Sequence, residues 1–173
     1  MLQPININYD ISTTPPHGRF GFPRKHDVHT GTDIYCPDGE PVYAMEDGIV
    51  TDVSHFTGEF TTPIAMPWWE NTMAIAIEGK SGVILYGEIY EPTLKIGDNV
   101  TEGQVIANVK RVLKKDKGLP MSMLHIELYN HGYRGDWSVW DLEDENAEIK
   151  VAGKPPVDLL NIETILTKVY VGI

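Results

Sequence analysis

The chain has 173 residues, 42 % of them apolar and 23 % charged, the make-up of one folded domain of ordinary size, which excludes a disordered tail. Acidic residues outnumber basic ones by 25 to 14, for a formal charge of −11; this repels polyanions over most of the surface, so nucleic-acid binding is not expected. No apolar run approaches the ~18–20 residues of a membrane span, and the one cysteine, Cys36, excludes an internal disulfide and a four-cysteine zinc module.

Sixteen glycines and twelve prolines chop the chain into short segments, which argues for a mainly β domain built of hairpins with few short helices. Residues 1–25, with Pro15, Pro16, Gly18, Gly21 and Pro23, read as an extended arm, and 26–173 as a single β domain. The arm lacks the basic-then-apolar pattern of a secretory signal. The compartment therefore stays open between a cytoplasmic chain, a phage-encoded or virion protein, and a processed secreted one.

Strands are expected at Thr32–Tyr35, ended by Pro37-Asp38-Gly39, then at Pro41–Ala44 and Gly48–Val53. The last two read as a hairpin hinged on Glu46-Asp47-Gly48. Residues 54–70, with Trp68-Trp69, form a long loop whose tryptophans either fold onto the core or rim a groove. Thr72–Glu78 and Val83–Tyr90 make a hairpin with a polar tip, and Ile96–Val100 with Gly103–Ile106 another strand-turn-strand unit. Lys110, Arg111, Lys114, Lys115 and Lys117 gather in one solvated stretch or a docking patch for an anionic polymer. Leu124–Tyr129 alternates, with Leu124, Ile126 and Leu128 on one face and Met123, His125, Glu127 and Tyr129 on the other. Asp141–Glu148 is an acidic solvated loop. Asp158 or Asn161 starts a short helix within Val157–Leu166.

With the cysteine isolated, any metal ligands come from imidazoles and carboxylates. His29 and Asp33 stand four residues apart, ~13 Å along a straight strand and too far for one ion. Gly31 between them permits a bend or bulge that closes the gap. His125 is the natural third ligand, because it sits off the apolar stripe of its strand. Two histidines and a carboxylate leave a fourth tetrahedral position open, as in a catalytic zinc site; by spacing alone the three could equally be unrelated polar residues.

These pieces are arranged in a familiar order. His29-Thr30-Gly31-Thr32-Asp33-Ile34, then Pro37, Gly39, Pro41-Val42-Tyr43-Ala44 and Asp47-Gly48-x-Val50, resemble the opening signature of lysostaphin-type zinc endopeptidases. Tyr86-Gly87 resembles the family's Tyr-Gly-His strand, and Gly97-Asp98-x-Val100-x-x-Gly103-Gln104-x-Ile106 its Gly-Asp hairpin. His125-Ile126-Glu127-Leu128 resembles the end of its His-x-His-Phe-Glu segment, and Pro156-Val157-Asp158-Leu159-Leu160 its closing segment. The resemblance covers roughly residues 20–166. It implies a compact antiparallel β fold with a metal-bearing groove, one Zn²⁺ on His29, Asp33 and His125, and cleavage of peptide bonds, usually in bacterial peptidoglycan.

Two positions depart from the pattern. Glu88 stands where the family has the histidine of Tyr-Gly-His, and Met123 where it has the first histidine of His-x-His. A carboxylate beside a metal-activated water is a competent general base, so Glu88 can carry that role. A thioether donates no hydrogen bond and carries no proton, so Met123 cannot replace its counterpart. The donors available to fill in are His26, His55, His131, Tyr43, Tyr86 and Arg24. Glu88 could instead close the site as a fourth ligand. The chain would then be a zinc-bearing binding or structural module without hydrolysis, for instance part of a phage tail or cell-envelope complex. A biotinyl- or lipoyl-carrier-like domain shares the Gly97–Ile106 pattern, but the turn Ala44-Met45-Glu46-Asp47-Gly48 lacks the lysine it needs.

Overall fold

Alternating apolar side chains set the architecture of the chain, a computed structural model describing residues 1–6, 13–62 and 64–166. The strands are β1 (Thr32–Tyr35), β2 (Pro41–Tyr43), β3 (Gly48–Thr57), β4 (Thr72–Gly79), β5 (Gly82–Ile89), β6 (Asn99–Val100), β7 (Val105–Asn108), β8 (Met123–Tyr129) and β9 (Leu159–Leu160). One short helix, α1 (Glu163–Leu166), and a 3-10 turn at Pro16–Gly18 accompany them. The strands pair antiparallel in a larger sheet ordered β1-β8-β5-β4-β3-β6, with β9 added beside β8, and in a small β2-β7 sheet. The fold is mainly antiparallel β, as the sequence implies.

The period of two divides the large sheet into an apolar face and a second, mixed face. Ile34, Ile75, Ile77, Ile84, Tyr86, Leu124, Ile126 and Leu128 point to the first, where they meet Val42, Ile106 and Ala107 of the small sheet. Ile5 joins this core from the N-terminal segment, 1 % exposed and bridged to Val42. The second face carries Ala74, Ala76, Leu85 and Tyr129. It is covered by Val28, Phe20, Phe56, Tyr133, Trp137 and Trp140.

The β4–β5 hairpin forms as its alternation requires, turning through Lys80-Ser81 between paired Gly79 and Gly82. Two other expected pairings do not occur. β2 and β3 are not a hairpin: β2 pairs with β7, and β3 with β4 and β6. Residues 44–47 carry the chain from one sheet to the other instead. Met45 is fully buried with its amide donating to the Tyr86 hydroxyl, and the Glu46 carboxylate accepts from Ser81. Likewise the turn at Thr101–Gln104 closes, with Gln104 N donating to Thr101 O, but β6 and β7 leave it for different sheets. Asp-Gly and Gly-Asp signals specify a turn; they do not specify that its two arms pair.

Of the long loop expected over residues 54–70, residues 54–57 instead continue β3, and the described residues from 58 up to β4 at Thr72 make the excursion. Trp68 is 60 % exposed, whereas Trp69 is half-buried and bridged to Leu113. The basic stretch ties into this loop: Lys110 donates to Asn71 O, Arg111 pairs with Glu70, and Lys114 donates to Pro67 O. Of the two helix starts, Asn161 is the one used, its Oδ1 accepting from Glu163 N at 2.9 Å.

Because Ile5 sits in the main core, Ile5→Ala is expected to cost about 2–4 kcal/mol, read as a shift of the urea midpoint. An unchanged midpoint would mean that the N-terminal segment is not part of the folded unit.

Candidate metal centre

The register of three strands builds the centre. Asp33 on β1 faces His125 on β8, and His125 faces Gly87 on β5. All three belong to the face opposite the Ile34–Ile126–Tyr86 core. His29 precedes β1, and the chain bends at Gly31 before the strand begins. The Gly31 backbone presses onto β8 so closely that an added Cβ would stand 2.4 Å from the Ile126 carbonyl and 2.8 Å from His125 Nε2. This bend, with no bulky residue in the way, returns His29 over the row.

The donor atoms converge. His125 Nδ1 lies 2.9 Å from Asp33 Oδ1 and 3.1 Å from His29 Nε2, and His29 Nε2 lies 3.2 Å from Asp33 Oδ1. Tetrahedral zinc with bonds of ~2.0–2.2 Å holds its ligand atoms ~3.3–3.5 Å apart, so this spacing suits such an ion after a small expansion. The far side of each group is fastened to the protein. His29 Nδ1 donates to Arg19 O at 3.0 Å, His125 Nε2 bonds Glu127 Oε1 at 2.8 Å, and Arg24 Nη2 donates to Asp33 Oδ2 at 3.2 Å. These outer contacts select the tautomer of each ring and leave one lone pair apiece facing inward, the arrangement that tunes metal-binding histidines. On this donor chemistry the residues fit a divalent cation, and His29, Asp33 and His125 are the group able to hold it among the described residues.

Burial makes the pairing compulsory. His29, Asp33, His125 and Glu127 are 3, 4, 6 and 2 % exposed, and lone charges at such depth are strongly unfavourable. Burial opposes ionisation of Asp33, yet the charge of His29 and the hydrogen bonds of His125 and His29 hold its carboxyl well below the usual range. Burial lowers the pKa of His29, against the pull of Asp33. For His125, burial is overcome by its hydrogen bonds to Asp33 and Glu127 and by their charges, and the ring is pushed up to about 10. Without a cation, the proton on His125 Nδ1 faces the other two donors; a metal ion that took its place would release it.

Glu88 reaches the same face through a defect in the ladder. Met73 pairs with Ile89 and Ala74 with Gly87, so Glu88 is an extra residue in β5. It is the one non-glycine with positive φ, 62°, among the described residues. The bulge restores Ile89 to the core, fully buried, and turns Glu88 toward the row of Asp33 and His125. Gly87 gives the room: an added Cβ would stand 2.6 Å from the Phe56 ring, which itself lies against His125 with ring centroids 5.2 Å apart. Glu88 Oε2 is buried with no hydrogen-bond partner among the described residues. Burial, reinforced by the charge of Asp33, pushes its carboxyl up to about 8 against the pull of His125 and Arg24. One oxygen of a strained carboxyl is thus left buried and unpartnered beside the cluster of metal-binding groups.

The other candidates disperse. His26 pairs with Glu145 and His131 with Glu78, both exposed, and His55 lies against Phe60. Tyr86 is spent on Met45 N within the core, and Tyr43 sits in the small sheet. Arg24 alone reaches the centre, on Asp33. Two further residues on this face were not singled out from sequence. Glu127 shares the His125 face, two residues along β8; it accepts from His125, Thr30 and Tyr129. Tyr35 follows Asp33 by two residues on β1 and faces Met123. The alternation of β8 already placed Glu127 beside His125, whereas the Tyr35–Met123 pairing depends on a long-range register that no local signal carries.

Comparison with known families gives a match of residues 27–137 to Peptidase family M23. Among solved structures, Csd3 of Helicobacter pylori, in an orthorhombic crystal, is similar at 17 % identity and a TM-score of 0.48. That alignment covers 83 % of this chain and 37 % of that one, so the chain spans little more than a third of its length. No curated protein matches the sequence.

Two outcomes follow from this geometry. Glu127→Gln should weaken zinc affinity by about 10–100-fold in competition with a chromophoric chelator, because it loosens the grip on His125; unchanged affinity would remove Glu127 from the centre. In the metal-free protein, His125 is raised from 6.5 to about 10 and Glu88 from 4.5 to about 8. Both are raised above their unfolded values, so their stabilisation is complete below the unfolded pKa and is lost as pH rises through the folded one. The urea midpoint of metal-free protein should therefore fall from about pH 6.5 to 10, the lowered pKa of His29 offsetting Glu88 below that range, and a midpoint rising between pH 6.5 and 10 would contradict the assignment.

Proposed function

The chain belongs to peptidase family M23, and from that premise we propose that it is a zinc-dependent endopeptidase that hydrolyses peptide bonds in bacterial peptidoglycan. Zn²⁺ bound at this centre would supply Lewis acidity toward a scissile carbonyl and a water nucleophilic at neutral pH. His29 Nε2, Asp33 Oδ1 and His125 Nδ1 are the atoms that would hold it. Arg19 O, Arg24 and Glu127 keep those three aligned.

Glu88 is the general base in this reading. Its Oε2 is buried and unpartnered, yet its carboxylate is not one of the mutually close ligand atoms, and that observation carries the proposal. A carboxylate next to the ligand set, but outside it, is positioned to take a proton from an attacking water and return it to the leaving amine. A divalent cation nearby favours the ionised form of Glu88 over the protonated one that burial imposes, which readies it as a base.

Two observations favour the second reading, an inactive zinc-bearing module of the cell envelope or of a phage tail. Met123 offers no donor or proton, and the three donor residues lie under Phe56 and Arg24, nearly inaccessible. The two readings separate on purified peptidoglycan. The zinc-loaded chain should release new amino termini, and a chelator should stop it. Glu88→Gln should keep stoichiometric zinc and lose at least about 100-fold in rate. One zinc per chain with no cleavage of any wall type would leave the inactive module.

A further inference from the structure

Attack on a peptide carbonyl leaves negative charge on its oxygen, and a donor aimed at that charge is worth about 10²–10³ in rate. Around the centre many polar hydrogens are already committed. Both ring nitrogens of His29 and of His125 are bonded. Arg24 Nη2 is held between His17 O and Asp33 Oδ2, turned to the side of the carboxylate away from the convergent donors. Glu88 only accepts when ionised, and Met123 and Phe56 have nothing to give.

Tyr35 carries a hydroxyl that none of these bonds commits. It follows Asp33 by two residues on β1, so it projects from the same face about 6.6–6.8 Å along the strand, and it stands directly opposite Met123. Its ring is half-buried. The His17 ring lies 6.3 Å away between centroids, and the Gly18 backbone is so near that an added Cβ would stand 3.2 Å from the hydroxyl oxygen. The hydroxyl is thus held in place, yet it makes no hydrogen bond to a described residue. A phenol is protonated at neutral pH and donates without giving up its proton.

We propose that the Tyr35 hydroxyl is the hydrogen-bond donor to the oxyanion of the tetrahedral intermediate in peptide hydrolysis at this centre. The inference rests on the hydrolytic reading above and deepens it. Tyr35 takes up the donation that the facing residue, Met123, cannot make. The proton stays on the phenol throughout, so the proton cycle of Glu88 is unaffected.

The test uses zinc-loaded protein, a cleavable wall peptide and a phosphinic peptide whose tetrahedral anion imitates the intermediate. Tyr35→Phe should lower kcat by about 100-fold with KM changed less than about twofold. It should weaken the phosphinic peptide at least about tenfold by calorimetry, with zinc content unchanged. Met123→His, which puts a donor on the facing strand, should restore at least about tenfold of the lost kcat and affinity when combined with Tyr35→Phe. Wild-type kcat and wild-type phosphinic affinity in Tyr35→Phe would overturn the proposal. If the wild-type chain cleaves nothing, the hydrolytic reading falls on its own, and the phosphinic affinities still decide for or against Tyr35.

Discussion

The centre depends on one register. Asp33, His125 and Gly87 form a single row across β1, β8 and β5, and a slip of one residue in either pairing would turn His125 or Asp33 into the apolar core. The row survives because each buried charge has a counterpart. Asp33 is bound by His29, His125 and Arg24, and His125 lies between Asp33 and Glu127. Removing any member leaves another charge buried without a partner, so the cluster stands or falls as a unit. In the metal-free chain a proton on His125 performs the neutralisation that a divalent cation would otherwise provide.

Two glycines and a bulge adapt this rigid row to chemistry. Gly31 lets the chain lie on β8 and swing His29 inward, and Gly87 leaves space for Phe56. The bulge at Glu88 is the unusual step, since a left-handed glutamate costs about 1–2 kcal/mol and leaves a carboxyl oxygen buried without a bond. Without the bulge, alternation would put Glu88 into the apolar core and Ile89 over the row, so the bulge serves packing as well as bringing a carboxylate to the centre.

Much of the fold was legible because strands with one apolar face announce themselves. The alternation of 72–78 and 83–90 specified a hairpin, and that of 124–129 specified which side His125 occupies. Partner choice was not legible. Asp47-Gly48 and Thr101–Gln104 mark turns, yet the strands that flank them separate into different sheets. The convergence of His29 with Asp33 was suggested by Gly31. The roles of Arg24, Glu127 and Tyr35 required knowledge of what lies across the sheet, and the bulge at Glu88 follows from pairing with β4 and leaves no trace in its own sequence.

The central claim is that three side chains, from two strands and the segment before one of them, hold one divalent cation. Diffraction at the zinc absorption edge, from crystals grown with the metal, tests it most directly. The account predicts one strong anomalous peak per chain, about 2.0–2.2 Å from His29 Nε2, Asp33 Oδ1 and His125 Nδ1, with the Glu88 carboxylate nearby but outside bonding distance. A peak elsewhere, or no peak between those three atoms at saturating zinc, would contradict it.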